Sequence, residues 1–247
     1  MNATDGMVAG SARSRGLRGY ETDRPDIQRH VPRNARRILE LGCSVGALGA
    51  ALKARQDVTV VGVEPHAEYA ADAIGRLDRV FTLDVETFLR ESPAPETPFD
   101  CLIAGDVLEH LVDPWSVLTR TVDLLSPGAT VVVSLPNIAY WRGLLRLVRT
   151  GRWPRDAEGV FDRTHLRWFT HDDAIDLLDG AGLRIVDVEP RYWASGWHLL
   201  WRRAVAKTRL HRFLPPQYII TAIKGSSDDD GATQVAAVGR AAALPTA

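Results

Sequence analysis

Three acidic residues stand at or near the ends of successive apolar runs. Glu40 lies in RILEL at 37–41, Glu64 follows VTVVGV at 58–63, and Asp84 follows the run at 80–83. A carboxylate closing a second strand can accept both hydrogen bonds of a ribose diol. One closing a third strand can read an adenine amino group. Between the first run and the next helical pattern lies Gly42-Cys43-Ser44-Val45-Gly46. Glycine lets backbone approach a ligand, and a helix N-terminus offers free N–H groups. The dinucleotide fingerprint needs G-x-G-x-x-G, and Ser44 stands where its second glycine belongs. Each feature alone also fits a tight turn or a solvated strand-end acid. Three at successive strand ends point to a nucleotide-like ligand.

The elements that must position these groups are short apolar runs alternating with helical patterns. Strands are expected at 37–41, 58–63, 80–83, 99–104, 129–134, 183–188 and 218–224. Helical patterns cover 47–55, 66–77 and 113–125, the last stopped by Ser126-Pro127-Gly128. Thr170, with Asp173 three residues on, predicts a capping box, and Gly182 follows that helix. The alternation implies an α/β fold: a doubly wound, mostly parallel seven-stranded sheet with helices on both faces. A long excursion separates the last two strands, so the last strand is expected to run antiparallel. Residues 1–19 and 225–247 read as disordered tails, and 20–224 as one domain. Residues 137–169 form an insertion after strand five that reads as a lid over substrate.

The chain has 247 residues, with 30 basic against 31 acidic side chains and a formal net charge of −1. That balance argues against a nucleic-acid partner. Two cysteines, Cys43 and Cys101, exclude a disulfide framework and fit a reducing, cytoplasmic compartment. No run is long enough to span a membrane.

Glu40-x-Gly42-x-x-x-Gly46, with Glu64 and Asp84, resembles the first motif and the following acids of the class I S-adenosylmethionine-dependent methyltransferases. Asp106-Val107-Leu108-Glu109-His110-Leu111 followed by Asp113-Pro114 resembles that family's fourth-strand motif. Leu125-Ser126-Pro127-Gly128 resembles the turn into its fifth strand. Ser134-Leu135-Pro136-Asn137, the stretch FDRTHLRWFT at 161–170, and Tyr20 with Arg24-Pro25 resemble a bacterial small-molecule and glycan-type subgroup. The likeness runs from about Tyr20 to Lys224 and departs at Ser44, where a glycine is common.

The resemblance implies a Rossmann-like methyltransferase fold with S-adenosyl-L-methionine as cofactor. It places Glu40, Gly42, Cys43, Ser44, Gly46, Glu64, Pro65, Asp84, Val85 and Asp106 around that cofactor, Glu40 toward its amino group. It implies in-line transfer of the sulfonium methyl to a small-molecule or glycan acceptor, most simply a hydroxyl. An alcohol must lose its proton, and histidine suits that task near neutral pH. His110, four residues past Asp106, is the first candidate base and His165 the second. A structural role is open for each. Asp106 is expected to orient the cofactor or a substrate hydroxyl. Asp106, Glu109, His110, His165 and His171 match no standard ligand spacing, so no metal is expected.

Six of seven tryptophans lie at or after Trp141. Aromatic and arginine content suits a sugar-like or phosphate-bearing acceptor, with Tyr20, Asn137, His165 and Arg167 as expected lining residues. Trp193, Trp197 and Trp201 recur at spacing four beside arginines. Core or partner packing is the preferred reading there, ahead of membrane-surface contact. The leading expectation is a methyltransferase, monomeric or homodimeric. The alternative is a non-catalytic S-adenosylmethionine-binding regulatory or scaffold protein.

Overall fold

The structure is a computed structural model that describes residues 22–91, 98–192 and 208–225. Tyr20, both tails and the tryptophans at 193, 197 and 201 lie outside the described residues.

Seven strands form one sheet: β1 (Arg37–Leu41), β2 (Thr59–Val63), β3 (Arg79–Phe81), β4 (Phe99–Gly105), β5 (Leu125–Pro136), β6 (Leu183–Arg191) and β7 (Gln217–Lys224). Their order is β3-β2-β1-β4-β5-β7-β6. The first five pair in parallel, and β7 runs antiparallel between β5 and β6. The expected antiparallel last strand is therefore present, and it sits inside the sheet. The helices are α1 (Pro25–Gln28), α2 (Ala47–Arg55), α3 (Ala67–Ile74), α4 (Val85–Glu91), α5 (Pro114–Val122), α6 (Trp141–Thr150) and α7 (His171–Gly180).

The central strands are mostly apolar on both sides because both sheet faces are covered. Leu39, Leu41, Leu102, Ala104, Val131 and Val133 enter one buried cluster. Ile38, Val60, Cys101, Ile103 and Val132 enter the other. The strand order reverses between β1 and β4, which opens a crevice at their carboxyl ends, where doubly wound sheets bind ligands.

One expected boundary is corrected. Ser126-Pro127-Gly128 belongs to β5, and α5 stops earlier, at Val122. Leu125 pairs with Phe99 and Thr130 with Cys101, so β5 bulges between these registers. The bulge accommodates Pro127, which has no N–H, and Gly128, whose φ is +77°. The Thr170–Asp173 capping box opens α7 as expected, and Gly182 follows its end with φ +76°.

Candidate active site

The loop after β1 turns through three left-handed residues, Gly42 (φ +63°), Ser44 (+49°) and Gly46 (+74°). At Gly42 the turn also needs space, since a Cβ would stand 2.4 Å from the Val107 side chain beyond β4. Serine has no such licence. Its backbone is held where glycine is at ease, and the Ser44 N–H donates to Glu64 Oε2 at 2.9 Å. Glu64 Oε1 accepts from the His66 N–H, also at 2.9 Å. Glu64 thus ties the loop after β1 to the start of α3 from the end of β2. Each of its oxygens keeps a second lone pair.

Glu40 is buried, and its Oε2 has no hydrogen-bond partner. Gly49 on α2 makes room for it, because a Cβ there would come within 2.9 Å of that oxygen. Burial pushes the Glu40 carboxyl up to about 8, against the smaller opposing pull of the Gly49 backbone N–H. Glu40 lines an open cleft of about 440 Å³ together with Arg24, Gly42, Cys43, Ser44 and Gly105. A buried, unpartnered carboxylate above a positive-φ loop fits a ligand that brings an ammonium group and lays its backbone-facing side on the loop. Ser44 Oγ is likewise buried without a partner. The Cys43 thiol is driven up by burial and by the nearby carboxylates, which leaves it unreactive.

At the end of β4, Asp106 also adopts left-handed backbone, φ +60°. Its Oδ2 accepts from Arg24 Nη1 at 2.7 Å. Its Oδ1 accepts from Ser134 Oγ at 2.8 Å and from Gln217 Nε2. Gln217 Nε2 also reaches Ser134 Oγ at 2.9 Å. Arg24 in turn holds the buried Asp26. Arg24, Ser134 and Gln217 were not among the residues expected here from sequence. The first precedes α1 and the last lies on β7, and only the pairing of β5 with β7 brings Gln217 to β4.

Just past Asp106, a single 3-10 turn (Leu108–His110) presents Glu109 and His110. Glu109 is 1% exposed, its Oε2 has no partner, and burial together with neighbouring Asp106 raises its carboxyl well above the usual range. His165 Nε2 stands 4.0 Å from Glu109 Oε1, and the His110 and His165 rings are 4.8 Å apart. Burial, and then His110, lower His165. The segment that carries His165 is fastened here, because the N–H groups of Leu166 and Arg167 both donate to the Glu109 carbonyl at 2.9 Å. The two histidines singled out by sequence therefore meet.

Other expected residues sit differently. Asp84 is exposed and caps α4, accepting from the Thr87 N–H at 2.7 Å and the Thr87 hydroxyl at 2.9 Å. Those bonds hold its carboxyl below the usual range. Val85 is buried in the core, and Pro65 follows Glu64 at the mouth of the loop. Asn137, expected as a lining residue, acts within the described residues as an interior clamp. It is 1% exposed, and its amide donates to the carbonyls of Arg212 and Pro215 at 2.8 Å while accepting from the Ala139 N–H. Arg167 lies over Trp115 and donates to the carbonyls of Val112 and Leu166. In the stretch after β5, α6 packs through Gly143 against Phe161, and Trp153 contacts both Phe161 and Trp168 edge-on. That stretch also exposes Trp141, Val148 and Trp153.

A seven-stranded doubly wound sheet with a cleft and three carboxylates at the tips of its parallel strands defines a binder of a nucleoside-type cofactor. A family model described as a methyltransferase domain matches residues 19–188, and the chain belongs to that family of S-adenosylmethionine-dependent enzymes. It is 35% identical over 118 residues to a ubiquinone biosynthesis O-methyltransferase of Xylella fastidiosa, an alignment spanning 45% of this chain and 46% of that relative. It is 33% identical over 178 residues to the enzyme of the same name from Ruegeria pomeroyi, 68% of this chain and 67% of that one. The chain thus spans about half the length of the first relative and two thirds of the second. Among solved structures, a SAM-dependent methyltransferase of Archaeoglobus fulgidus superposes with a TM-score of 0.56 at 19% identity, covering 78% of this chain and 87% of the other. That likeness carries the fold. The expected class, cofactor and sheet are therefore borne out. Among the described residues no helix is long and apolar enough to cross a membrane.

Proposed function

We propose that this enzyme methylates a hydroxyl group of a small-molecule or glycan acceptor. The observation that carries this reading is the meeting of His110 and His165 beyond the tip of β4, with their rings 4.8 Å apart. That is where an acceptor proton has to be withdrawn if methyl transfer is to an oxygen. The O-methyltransferase names of relatives at 33–35% identity support it.

When bound, S-adenosyl-L-methionine supplies an electrophilic methyl on a sulfonium. The chain's own groups bind and orient around it. Glu40 takes the methionine ammonium at its unpartnered oxygen. Glu64 uses its remaining lone pairs for the ribose diol, and Asp84 with Val85 and Pro65 borders the adenine side. Gly42, Cys43, Ser44 and Gly46 supply the backbone under the methionine. Asp106, clamped by Arg24, Ser134 and Gln217, sets the floor beside the methyl. The histidine cluster withdraws the hydroxyl proton, and the fastened segment at 164–167 excludes water. Arg167 and His165 border the acceptor. A cytoplasmic location suits Cys43 and Cys101, both buried free thiols. The chain acts as a monomer or homodimer.

The test is incubation of the full chain with methyl-labelled cofactor and a panel of sugar nucleotides, glycans and phenolic or aliphatic alcohols. Label should enter an acid-stable ether and depend on a free hydroxyl. Label found only in amines or in carbon positions overturns the reading.

A further inference from the structure

The same cluster holds a feature that proton withdrawal by an imidazole does not require. Thr164 Oγ1 donates to Asp162 Oδ1 at 2.7 Å, so its remaining capacity toward His110 Nδ1, 3.2 Å away, is as an acceptor. His110 Nδ1 also faces the Thr164 carbonyl, at 3.3 Å. The network therefore assigns the proton to His110 Nδ1 and leaves Nε2 as a bare lone pair. His165 Nδ1 faces the Val160 carbonyl at 3.2 Å, which can only accept, so its Nε2 is bare too. Beside them lies Glu109, interior and with an unpartnered Oε2. One ligating atom from each of the three residues lies within 4.8 Å of the others.

Two lone pairs and a carboxylate converge, with their outer N–H groups pinned from behind. Oxygen acceptors behind the rings orient metal-bound imidazoles in the same way. Asp106 stands outside the set, since both its oxygens are held by Arg24, Ser134 and Gln217.

We propose that Glu109, His110 and His165 bind one divalent first-row transition cation at the carboxyl end of β4. Two imidazoles and one carboxylate favour zinc, iron, cobalt or manganese over magnesium or calcium. Three protein ligands leave coordination positions open. With both Nε2 lone pairs on the cation, the imidazoles serve as ligands in place of the base role proposed above; on the reading of the enzyme as an O-methyltransferase, the acceptor hydroxyl oxygen takes one of these positions and releases its proton to water more readily. The oxygen lone pair then forms the new C–O bond as the methyl–sulfur bonding pair returns to sulfur, leaving a neutral thioether. This replaces the sequence expectation of no metal.

The full chain, stripped with a chelator, is titrated with Co²⁺ and followed by calorimetry and visible d–d absorption. One ion per chain is expected. Glu109→Gln and His165→Ala should each weaken binding by about 100-fold or more. His30→Ala, in the partly buried cluster with Asp187 and Glu189, should leave binding unchanged. Binding of S-adenosylhomocysteine by each variant checks that the fold survives. Wild-type protein that binds the nucleoside but not Co²⁺, or variants that bind Co²⁺ as well as wild type, overturns the site. This arm needs neither acceptor nor turnover, so its failure is separate from failure of the O-methylation reading. With an acceptor in hand, turnover should vanish on stripping and return with Mn²⁺, Co²⁺ or Zn²⁺. Full turnover by protein verified metal-free overturns the cation's part in the reaction.

Discussion

Arg24 Nη1 donates to Asp106 Oδ2 at 2.7 Å, joining residues 82 apart in sequence at the rim of the cofactor cleft. The bond crosses from the chain before α1 to the tip of β4, and both residues have left-handed backbone, φ +46° and +60°. Asp106 can hold that conformation because its carboxylate is fixed from three sides. The Arg24 side chain lines the cleft that contains Glu40.

Removing the guanidinium should therefore act on cofactor binding first. Arg24→Ala leaves Asp106 bonded to Ser134 and Gln217 but frees its backbone on one side. Arg24 is 22% exposed and Asp106 33%, so screening limits the stability cost to about 1–2 kcal/mol. Affinity for S-adenosylhomocysteine should fall by about 10-fold or more, the equivalent of one lost charge-assisted bond. Calorimetry on the variant, with a melting curve alongside, checks this. Unchanged affinity in a folded variant would remove Arg24 from the site.

Glu40 gives the free protein a pH dependence of definite sign. Its carboxyl sits at about 8 when folded, above the ordinary value of 4.5. Between those values the unfolded chain has lost the proton that the folded chain keeps. Stability therefore falls as pH rises from about 4.5 to about 8, by an amount on the order of a few kcal/mol. Glu40→Gln should flatten that part of a melting-temperature profile. Cofactor binding runs the other way, because the ammonium needs the ionised carboxylate. Affinity should rise with pH up to about 8, with a proton released on binding below it. Calorimetry in buffers of different ionisation enthalpy reads that proton directly. A pH-independent affinity would assign the ammonium to another group.

Ser44 combines a backbone that favours glycine with a buried hydroxyl lacking a partner. Ser44→Gly removes the strain, of about 1 kcal/mol, and should leave the melting temperature level or slightly higher. Ser44→Val puts a branched side chain in the same conformation and should cost about 2 kcal/mol or more. If the hydroxyl serves the ligand, the glycine variant should bind S-adenosylhomocysteine several-fold more weakly while remaining as stable. Equal affinity would make Ser44 neutral to binding.

The parts of this molecule legible from sequence are those set by local pattern. Arg37–Leu41 and Ala47–Arg55 have the expected bounds because a β-branched or apolar run and a helical one meet at a glycine turn. The capping box at Thr170 is a four-residue signal and needs no tertiary context. His110 and His165 could be named individually, since histidine suits proton withdrawal near neutral pH. Their meeting depends on the Leu166 and Arg167 N–H groups docking on the Glu109 carbonyl, a contact across more than fifty residues that no spacing encodes. Gln217 was illegible for the same reason, because β7 reaches Asp106 only through its antiparallel place beside β5. Asn137 could not be placed from its type for a chemical reason. Its amide is as suited to holding two backbone carbonyls as to holding a sugar.

That last distinction is open to experiment. Asn137→Ala removes both donors from the carbonyls of Arg212 and Pro215, and the acceptor from the Ala139 N–H, at a site 1% exposed. The Arg212 carbonyl keeps the Tyr218 hydroxyl, 3.2 Å away, but the Pro215 carbonyl and the Ala139 N–H lose these bonds, and stranding a buried backbone group costs about 1–3 kcal/mol when no water enters. A total loss of about 2–4 kcal/mol is expected, visible as a lower denaturant midpoint. Asn137→Asp keeps the acceptor toward Ala139 but turns a carboxylate toward two carbonyl oxygens, and should be at least as damaging. Because the amide faces the chain before β7 and not the cleft, the KM for an acceptor should move little at a temperature where the variant is folded. A variant of normal stability with a greatly raised acceptor KM would return Asn137 to the substrate side.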